Sequence, residues 1–346
     1  MKLPLKLNNN NNVFWSMKKF LSYGDALSTL IAIGGRGIGK TTSAFITAAN
    51  QFNKNGTQFV LVRRYKAELK KFVTKRSLDY VYDGIKYKSK DEIFMFDFED
   101  DTVGYGIPLS TATDFKSVDF SRVGFIIYDE ATLIRKGMKR YLENEVVQLL
   151  ELYSTIARLR PNVKLVILGN NVDLYNPYFE YFNVPVFDTI YVDKKRGLMC
   201  ELPRNSSKLM ELEKSTALYK LTAGTQYAKY HYENELLVSK KVEILKEPPQ
   251  VYSPIKIGIK KYTLSAGFYI DKTDRLMRLY ISSEEKVDKS GTCYQIITPD
   301  GNRNYYYMEA FRNTFRGPLT RMFYNDKCTY DKQITADIFA TIMEEL

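Results

Sequence analysis

Gly34, Gly35, Arg36, Gly37, Ile38, Gly39, Lys40 and Thr41 spell the phosphate-loop pattern G-x-x-x-x-G-K-[ST], and Thr42 carries it into the next helical turn. Such a loop turns successive backbone N–H groups inward onto phosphate oxygens, an approach that a Cβ would obstruct. A helix starting near Lys40 adds the positive end of its dipole. Lys40 is then placed to reach the β- and γ-phosphates of ATP, and the Thr41 hydroxyl to ligate Mg2+. Farther along, Phe125-Ile126-Ile127-Tyr128 runs into Asp129 and Glu130, the form of a Walker B strand. Asp129 would hold Mg2+ and Glu130 would polarise an attacking water. Adjacent carboxylates with separate tasks point to hydrolysis rather than to binding alone; a strand with a solvated acidic end is the plainer alternative.

Asn170 ends a further apolar strand, LVILGN, where an amide can sense a γ-phosphate, although Gly-Asn-Asn is also good turn chemistry. Arg158 and Arg160 sit where a long helix runs out before Pro161. There a guanidinium can reach a neighbouring subunit's phosphate as an arginine finger or simply complement the helix dipole, and both readings stand open. Arg63, Arg64 and Lys66 follow the second strand, and Arg135 and Lys136 follow Glu130. Contacts to a DNA backbone need no base readout, so these five are candidate DNA-binding residues, with a solvated charged face as the alternative.

Strands alternate with helices around these groups. An apolar strand precedes the loop, a helix follows it as far as Gly56, and TQFVLVRRY is a buried strand. AELKKFVTKRSLDYVYD has a helical pattern, residues 85–109 read as two or three strands, and residues 139–159 as a helix closed by Pro161. This alternation predicts an α/β fold with a mainly parallel central sheet and its chemistry at the strands' carboxyl ends. Residues 206–237 read as helical linker broken at Gly224, Pro248 and Pro249 mark a boundary, and the pattern beyond 255 is β-rich before a short terminal helix. The expected domains are residues 1–203, a linker over 204–247, and a smaller C-terminal domain over 248–346.

The 346 residues carry a formal charge of +11, a weak pointer to a polyanionic partner. From 241 onward, 16 Lys and Arg face 14 Asp and Glu, so +9 of that charge lies in the first 240 residues. No apolar run approaches a membrane span, and the N-terminus lacks the apolar core of a signal peptide. Cys200, Cys293 and Cys328 lie far apart and His231 stands alone, which argues against a zinc site or disulfide framework and for a reducing, intracellular setting. Asn8 to Asn12 form a polar arm.

GGRGIGKT, QFVLVRRYKAEL, YGIPLS, FIIYDE and LGNNVDLYNPYFEYFNV together resemble the genome-packaging ATPases of phi-29-type small tailed bacteriophages. The resemblance is firm over residues 20–190 and fainter beyond. It implies an ASCE-type P-loop ATPase domain, a linker and a C-terminal domain with a degenerate RNase H-like fold. It further implies a homopentameric ring that docks at the portal of a procapsid in the host cytoplasm and drives double-stranded DNA inward, with a structural packaging RNA between portal and ATPase. By the family motifs, Arg158 falls on the trans-acting finger and Lys116 on a second trans-acting cation. Lys66 lies in a segment exposed to the DNA channel, and Arg135 and Lys136 in the other channel loop.

The expectation is therefore an ATP-driven DNA translocase that uses Mg2+. Lys40, Thr41 and Asp129 bind MgATP, Glu130 activates water, Asn170 senses the γ-phosphate, and Arg158 with Lys116 completes a neighbour's site. One rival is a large-terminase-like enzyme with a working nuclease, for which Asp271 at the end of GFYI would be the first metal carboxylate. A second is a non-hydrolysing, nucleotide-gated component of the portal.

Overall fold

The computed structural model describes residues 2–7, 13–90, 92–114, 118–133, 141–170, 176–185, 187, 189–225, 228, 242–245, 247–259, 262–283, 293–297, 304–325 and 327–345. They form two compact units, chiefly residues 1–236 and 237–346.

In the first unit a short helix α1 (Lys18–Leu21) leads to β1 (Thr29–Gly34), whose last five residues are buried. Helix α2 (Lys40–Asn55) follows the phosphate loop and stops at Gly56, whose φ of 73° gives the left-handed cap that glycine supplies without strain. Then come β2 (Gln58–Arg63), α3 (Lys66–Thr74), β3 (Lys86–Lys90), β4 (Ile93–Phe98), β5 (Asp101–Pro108) and β6 (Val123–Tyr128). Helix α4 (Glu145–Ala157), β7 (Lys164–Asn170), α5 (Pro177–Tyr181), β8 (Ile190–Asp193), β9 (Leu198–Glu201), α6 (Ser207–Lys214) and α7 (Ala217–Thr222) complete it.

Nine strands pair in the order β3-β4-β5-β2-β6-β7-β1-β9-β8. The six central ones, β5 to β9 in that order, are parallel, and antiparallel pairs close both edges. Every residue of β2 is buried, as a strand covered on both faces requires. Phe45, Phe59, Phe72, Tyr82 and Phe96 pack ring against ring between the sheet and α2 and α3. The mainly parallel α/β sheet is the expected fold class.

Two local expectations change. The helix expected over residues 67–83 ends at Thr74, because Arg76 takes a left-handed φ of 49° and the Ser77 N–H turns back to the Phe72 carbonyl. This brings Leu78, Val81 and Tyr82 into the core, where the Tyr82 hydroxyl donates to the Phe45 carbonyl at 2.5 Å. The helix expected from 139 begins, within the described residues, at Glu145 after a left-handed Asn144.

In the second unit, β10 (Glu243–Ile244), β11 (Tyr252–Ile259), β12 (Tyr262–Ile270), β13 (Met277–Ser282), β14 (Cys293–Ile297) and β15 (Cys328–Tyr330) pair in the order β10-β15-β13-β12-β11-β14. β11, β12 and β13 form an antiparallel meander, flanked by β14 parallel to β11 and β15 parallel to β13. Helices α8 (Tyr305–Tyr324) and α9 (Gln333–Glu345) supply Phe311, Leu319, Phe339 and Ile342 to its core. Helix α8 has no counterpart among the expected elements; Pro318, inside it, reads in sequence as a terminator. Among the described residues no helix is long and apolar enough to cross a membrane.

Candidate nucleotide site

β1 ends at Gly34, and the loop from Gly35 to Gly39 turns the chain into α2. Gly37 and Gly39 have φ of 77° and 90°, a region that only glycine enters cheaply. The loop is also enclosed from behind. A Cβ on Gly39 would lie 2.9 Å from Cβ of Phe14, and one on Gly34 would lie 2.7 Å from the Pro203 carbonyl oxygen. The Trp15 N–H donates to the Ile38 carbonyl (2.9 Å) and the Ser206 hydroxyl to the Val13 carbonyl (2.5 Å). These neighbours come from before and after the sheet, and no phosphate-loop pattern announces them.

The buried Lys40 ammonium donates to the Gly34 and Gly35 carbonyls at 2.8 and 2.6 Å. Burial lowers its pKa to about 8, against the pull of Asp129 and with the help of Arg36. The Thr41 hydroxyl donates to Asp129 Oδ1 at 3.0 Å. Parallel pairing of β2, β6 and β7 with β1 gathers their carboxyl ends beside this loop, as such sheets do. The resulting cleft of about 770 Å³ is lined by Arg36, Gly37, Lys40, Thr41, Thr42, Arg63, Tyr80, Asp129, Glu130 and Asn170, among others. The nucleotide-binding, magnesium and hydrolytic candidates thus meet in one place.

Arg63 and Arg64 depart from expectation. Arg63 bridges both carboxylates that follow β6, Asp129 Oδ2 and Glu130 Oε2 each at 2.7 Å, and its guanidinium lies 5.7 Å from the Phe72 ring centroid. Burial opposes its charge, but Asp129 and Glu130 outweigh that and raise its pKa. Arg64 points the other way, into a fully buried pairing with Glu145 at the start of α4. The expected DNA contacts of Arg63 and Arg64 give way to these: β2 lies beside β6, so Arg63 meets Asp129 and Glu130, while Arg64, just past the strand, meets Glu145 at the start of α4.

Glu130 itself has a left-handed φ of 58°, and its side chain, 56% exposed, reaches the cleft. Asn170 is tied through its main chain: its N–H donates to Thr132 Oγ1 at 2.7 Å and its carbonyl accepts from that hydroxyl at 2.8 Å. Thr132, two residues after Glu130, joins the Walker B and Asn170 strand ends. It went unnoticed in the sequence, where a lone threonine carries no signal.

Helix α4 runs from this edge to the opposite one, about 20 Å for 13 residues. There Arg160 donates to the carbonyls of Phe120, Ser121, Val123 and Ile156, a structural anchor at the entry to β6. Arg158 caps the helix with φ of 50°, is exposed, and makes no side-chain hydrogen bond among the described residues. The two arginines left open by the sequence are therefore distinguished. Lys66 is half exposed and pairs with Glu92 at the surface. Lys116, Arg135, Lys136, Asn171 and His231 lie outside the described residues. Asp271 accepts from the Thr273 N–H and hydroxyl at 2.8 and 2.6 Å and pairs with Arg278 at 2.8 Å, within the β12–β13 turn.

The chain is 30% identical over 338 residues to the DNA packaging protein of Bacillus phage phi29, covering 95% of this chain and 96% of that one. Its fold is similar to that of a chain in the solved bacteriophage Phi-29 viral genome packaging motor assembly, with a TM-score of 0.63 at 27% identity over 96% of this chain and 99% of that one. A structure of the Phi-28 gp11 DNA packaging motor shares the fold, with a TM-score of 0.54 at 18% identity over 97% and 99% of the two chains. The model of the podovirus DNA encapsidation proteins (Gp16) matches residues 9–345. With the phosphate loop, the paired carboxylates and the parallel sheet in place, the chain belongs to the podovirus Gp16 DNA encapsidation family.

Proposed function

We propose that this protein is an ATP-driven motor subunit that translocates double-stranded viral DNA into a procapsid. The observation that carries the proposal is the convergence of Lys40, Thr41, Asp129 and Glu130 in one cleft. The phosphates of ATP would lie along the loop N–H groups ahead of Lys40, whose ammonium exchanges its two loop carbonyls for phosphate oxygens. A hydroxyl beside a carboxylate is a donor set that suits Mg2+, so Thr41 and Asp129 would hold it. Bound there, the ion would neutralise developing charge on the phosphate oxygens.

Glu130 would take a proton from the attacking water. While Arg63 holds its carboxylate, that acceptor is occupied; the phosphate charges of ATP give Arg63 another partner and so free the base. Asn170, on the same rim, would contact the γ-phosphate. Arg158 sits a helix length from its own cleft, so it would serve the cleft of a neighbouring copy in a ring, and Lys116 would be the second trans-acting cation that the resemblance implies. A pentamer at the procapsid portal, with a structural RNA, is the assembly that the resemblance implies. Lys66 and the loop carrying Arg135 and Lys136 would touch the DNA backbone. The setting is the host cytoplasm.

The test is steady-state ATP hydrolysis by wild type and Glu130→Gln, with and without double-stranded DNA. Turnover that DNA stimulates and the variant lacks supports the motor. Turnover indifferent to both DNA and Glu130 overturns it.

A further inference from the structure

Behind the cleft lies a polar cluster that the hydrolytic machinery does not use directly. The Arg64 and Glu145 side chains are each 1% exposed, and Tyr128 and Tyr178 are fully buried. Arg64 Nε and Nη2 donate to the two Glu145 oxygens at 2.6 and 2.9 Å. Glu145 also accepts from the Leu142 N–H at 2.9 Å, from the Tyr128 hydroxyl at 2.8 Å and from the Tyr178 hydroxyl. Five donors leave this carboxylate saturated, which satisfies the requirement that a buried charge be paired and hydrogen-bonded.

The remaining donors of Arg64 have a specific target. Nη2 donates to the Ala131 carbonyl at 2.7 Å, and Nη1 reaches the Glu130 carbonyl at 3.5 Å. The Glu130 N–H, on the other side of the same residue, donates to Asp129 Oδ1 at 3.0 Å. Glu130 is therefore held from both sides in a left-handed conformation, φ 58°, that a non-glycine residue adopts only when its surroundings impose it. Planar bidentate pairing fixes the Arg64 guanidinium in turn.

We propose that the Arg64–Glu145 pair, braced by Tyr178, is the positioning element that sets the backbone of Glu130 and so aims its carboxylate. The inference rests on the reading of Glu130 as the base. Arg63 holds the Glu130 side chain in the cleft, while Arg64, one residue on and facing the other side of the sheet, holds its main chain. The first contact is open to exchange with ATP; the second is sealed from solvent and stays fixed through the cycle. Tyr178 belongs to the Asn176-Pro177-Tyr178-Phe179 run, where the Asn176 side chain caps α5 by accepting from Tyr178 and Phe179 N–H at 3.2 and 3.1 Å. That run thereby gains a physical role: it seats a hydroxyl on Glu145.

The test compares Glu145→Gln, Arg64→Lys and Tyr178→Phe in the full chain for kcat, KM, affinity for a slowly hydrolysed MgATP analogue, and cooperative thermal unfolding. Misaiming a catalytic group by about an ångström costs on the order of 100-fold. The expected result is a kcat loss of that order in Glu145→Gln and Arg64→Lys, and roughly 5-fold in the volume-conserving Tyr178→Phe. KM and analogue affinity stay within about twofold of wild type. In the Glu130→Gln background, Glu145→Gln adds no further loss, since it acts through a group already removed.

Unchanged kcat in folded variants overturns the proposal. So does a parallel loss of analogue affinity, or a further loss on top of Glu130→Gln. If Glu145→Gln and Arg64→Lys fail to fold, Tyr178→Phe decides alone: lowered kcat at unchanged affinity supports the proposal, lowered melting temperature with unchanged kcat sinks it. Wild-type turnover in Glu130→Gln is a different failure, that of the base assignment itself.

Discussion

β6 and β12 are apolar strands that each run into an aspartate, and the two ends have different fates. β6 delivers Asp129 to an edge where β1, β2 and β7 end as well, so a lysine and a threonine from the start of α2 and an arginine from the end of β2 converge on it. β12 delivers Asp271 to a hairpin, where the chain's own next residues, Thr273 and Arg278, take up the carboxylate. The difference follows from strand direction. A parallel sheet needs a long crossover after each strand, so neighbouring strand ends are left side by side for chemistry. An antiparallel turn uses the strand end to reverse the chain.

The largest expected effect tests whether convergence makes Asp129 and Glu130 a reactive pair. Glu130→Gln should lower DNA-stimulated turnover by roughly 10³-fold, the middle of the general-base range, while MgATP-analogue binding persists. Equal turnover would place the first strand end in the same class as the second. Next, the far end of α4 should matter to hydrolysis in one arginine only. Arg158→Ala is expected to cost on the order of 10³-fold in turnover with unchanged melting, and mixing with Glu130→Gln should restore activity when each copy supplies what the other lacks. Arg160→Ala removes four carbonyl contacts and should destabilise the fold by roughly 2–4 kcal/mol.

A smaller effect concerns pH. Burial holds the Lys40 pKa near 8, so the ammonium is progressively lost above that pH. ATP phosphates favour the charged form, so binding above pH 8 must take up a proton. Calorimetry in buffers of different ionisation enthalpy should show uptake approaching about one proton at pH 9 and almost none at pH 6.5. Lys40→Arg, whose guanidinium stays charged, should show no such uptake. The smallest effect belongs to Asp271. Thr273 and then Arg278 hold its pKa below the usual carboxylate value, so its stabilising share is present at neutral pH and fades as pH falls through that lowered value. Asp271→Asn should therefore lower the melting temperature slightly at pH 7, less so in acid, and leave ATP turnover alone. A drop in turnover would break the contrast between the two strand ends.

What the sequence makes legible is what contiguous residues carry. The glycines, lysine and threonine of residues 34–41 stand in one run, and Asp129 and Glu130 follow directly on a buried strand, so the residues that line the cleft together can be picked out in sequence. The parallel sheet follows from the alternation of elements. Arg63 and Arg64 read in sequence as cations facing DNA because their meaning is tertiary. Successive side chains leave a strand on opposite faces, so one arginine enters the cleft and the other goes behind it, each toward an acid far away in sequence. Neither pairing leaves a local trace. Arg158 and Arg160 are separated by the family motifs and not by their own spacing, since the carbonyls that hold Arg160 include those of Phe120, Ser121 and Val123, distant in the chain. Thr132, Pro203 and Phe14 carry no chemistry of their own and become visible only by where they pack.

The phosphate loop's back wall has a mechanical meaning. Phe14 lies against Gly39, the Pro203 carbonyl against Gly34, and Ser206 ties Val13 to the start of α6. A loop in van der Waals contact on its rear side cannot tighten on phosphates without moving what it leans on. The segment that leads out of the sheet toward residues 207–222 therefore rests on the back of this loop, and a displacement of the loop would meet that segment first. The missing Cβ of Gly34 and of Gly39 is what lets Pro203 and Phe14 come that close.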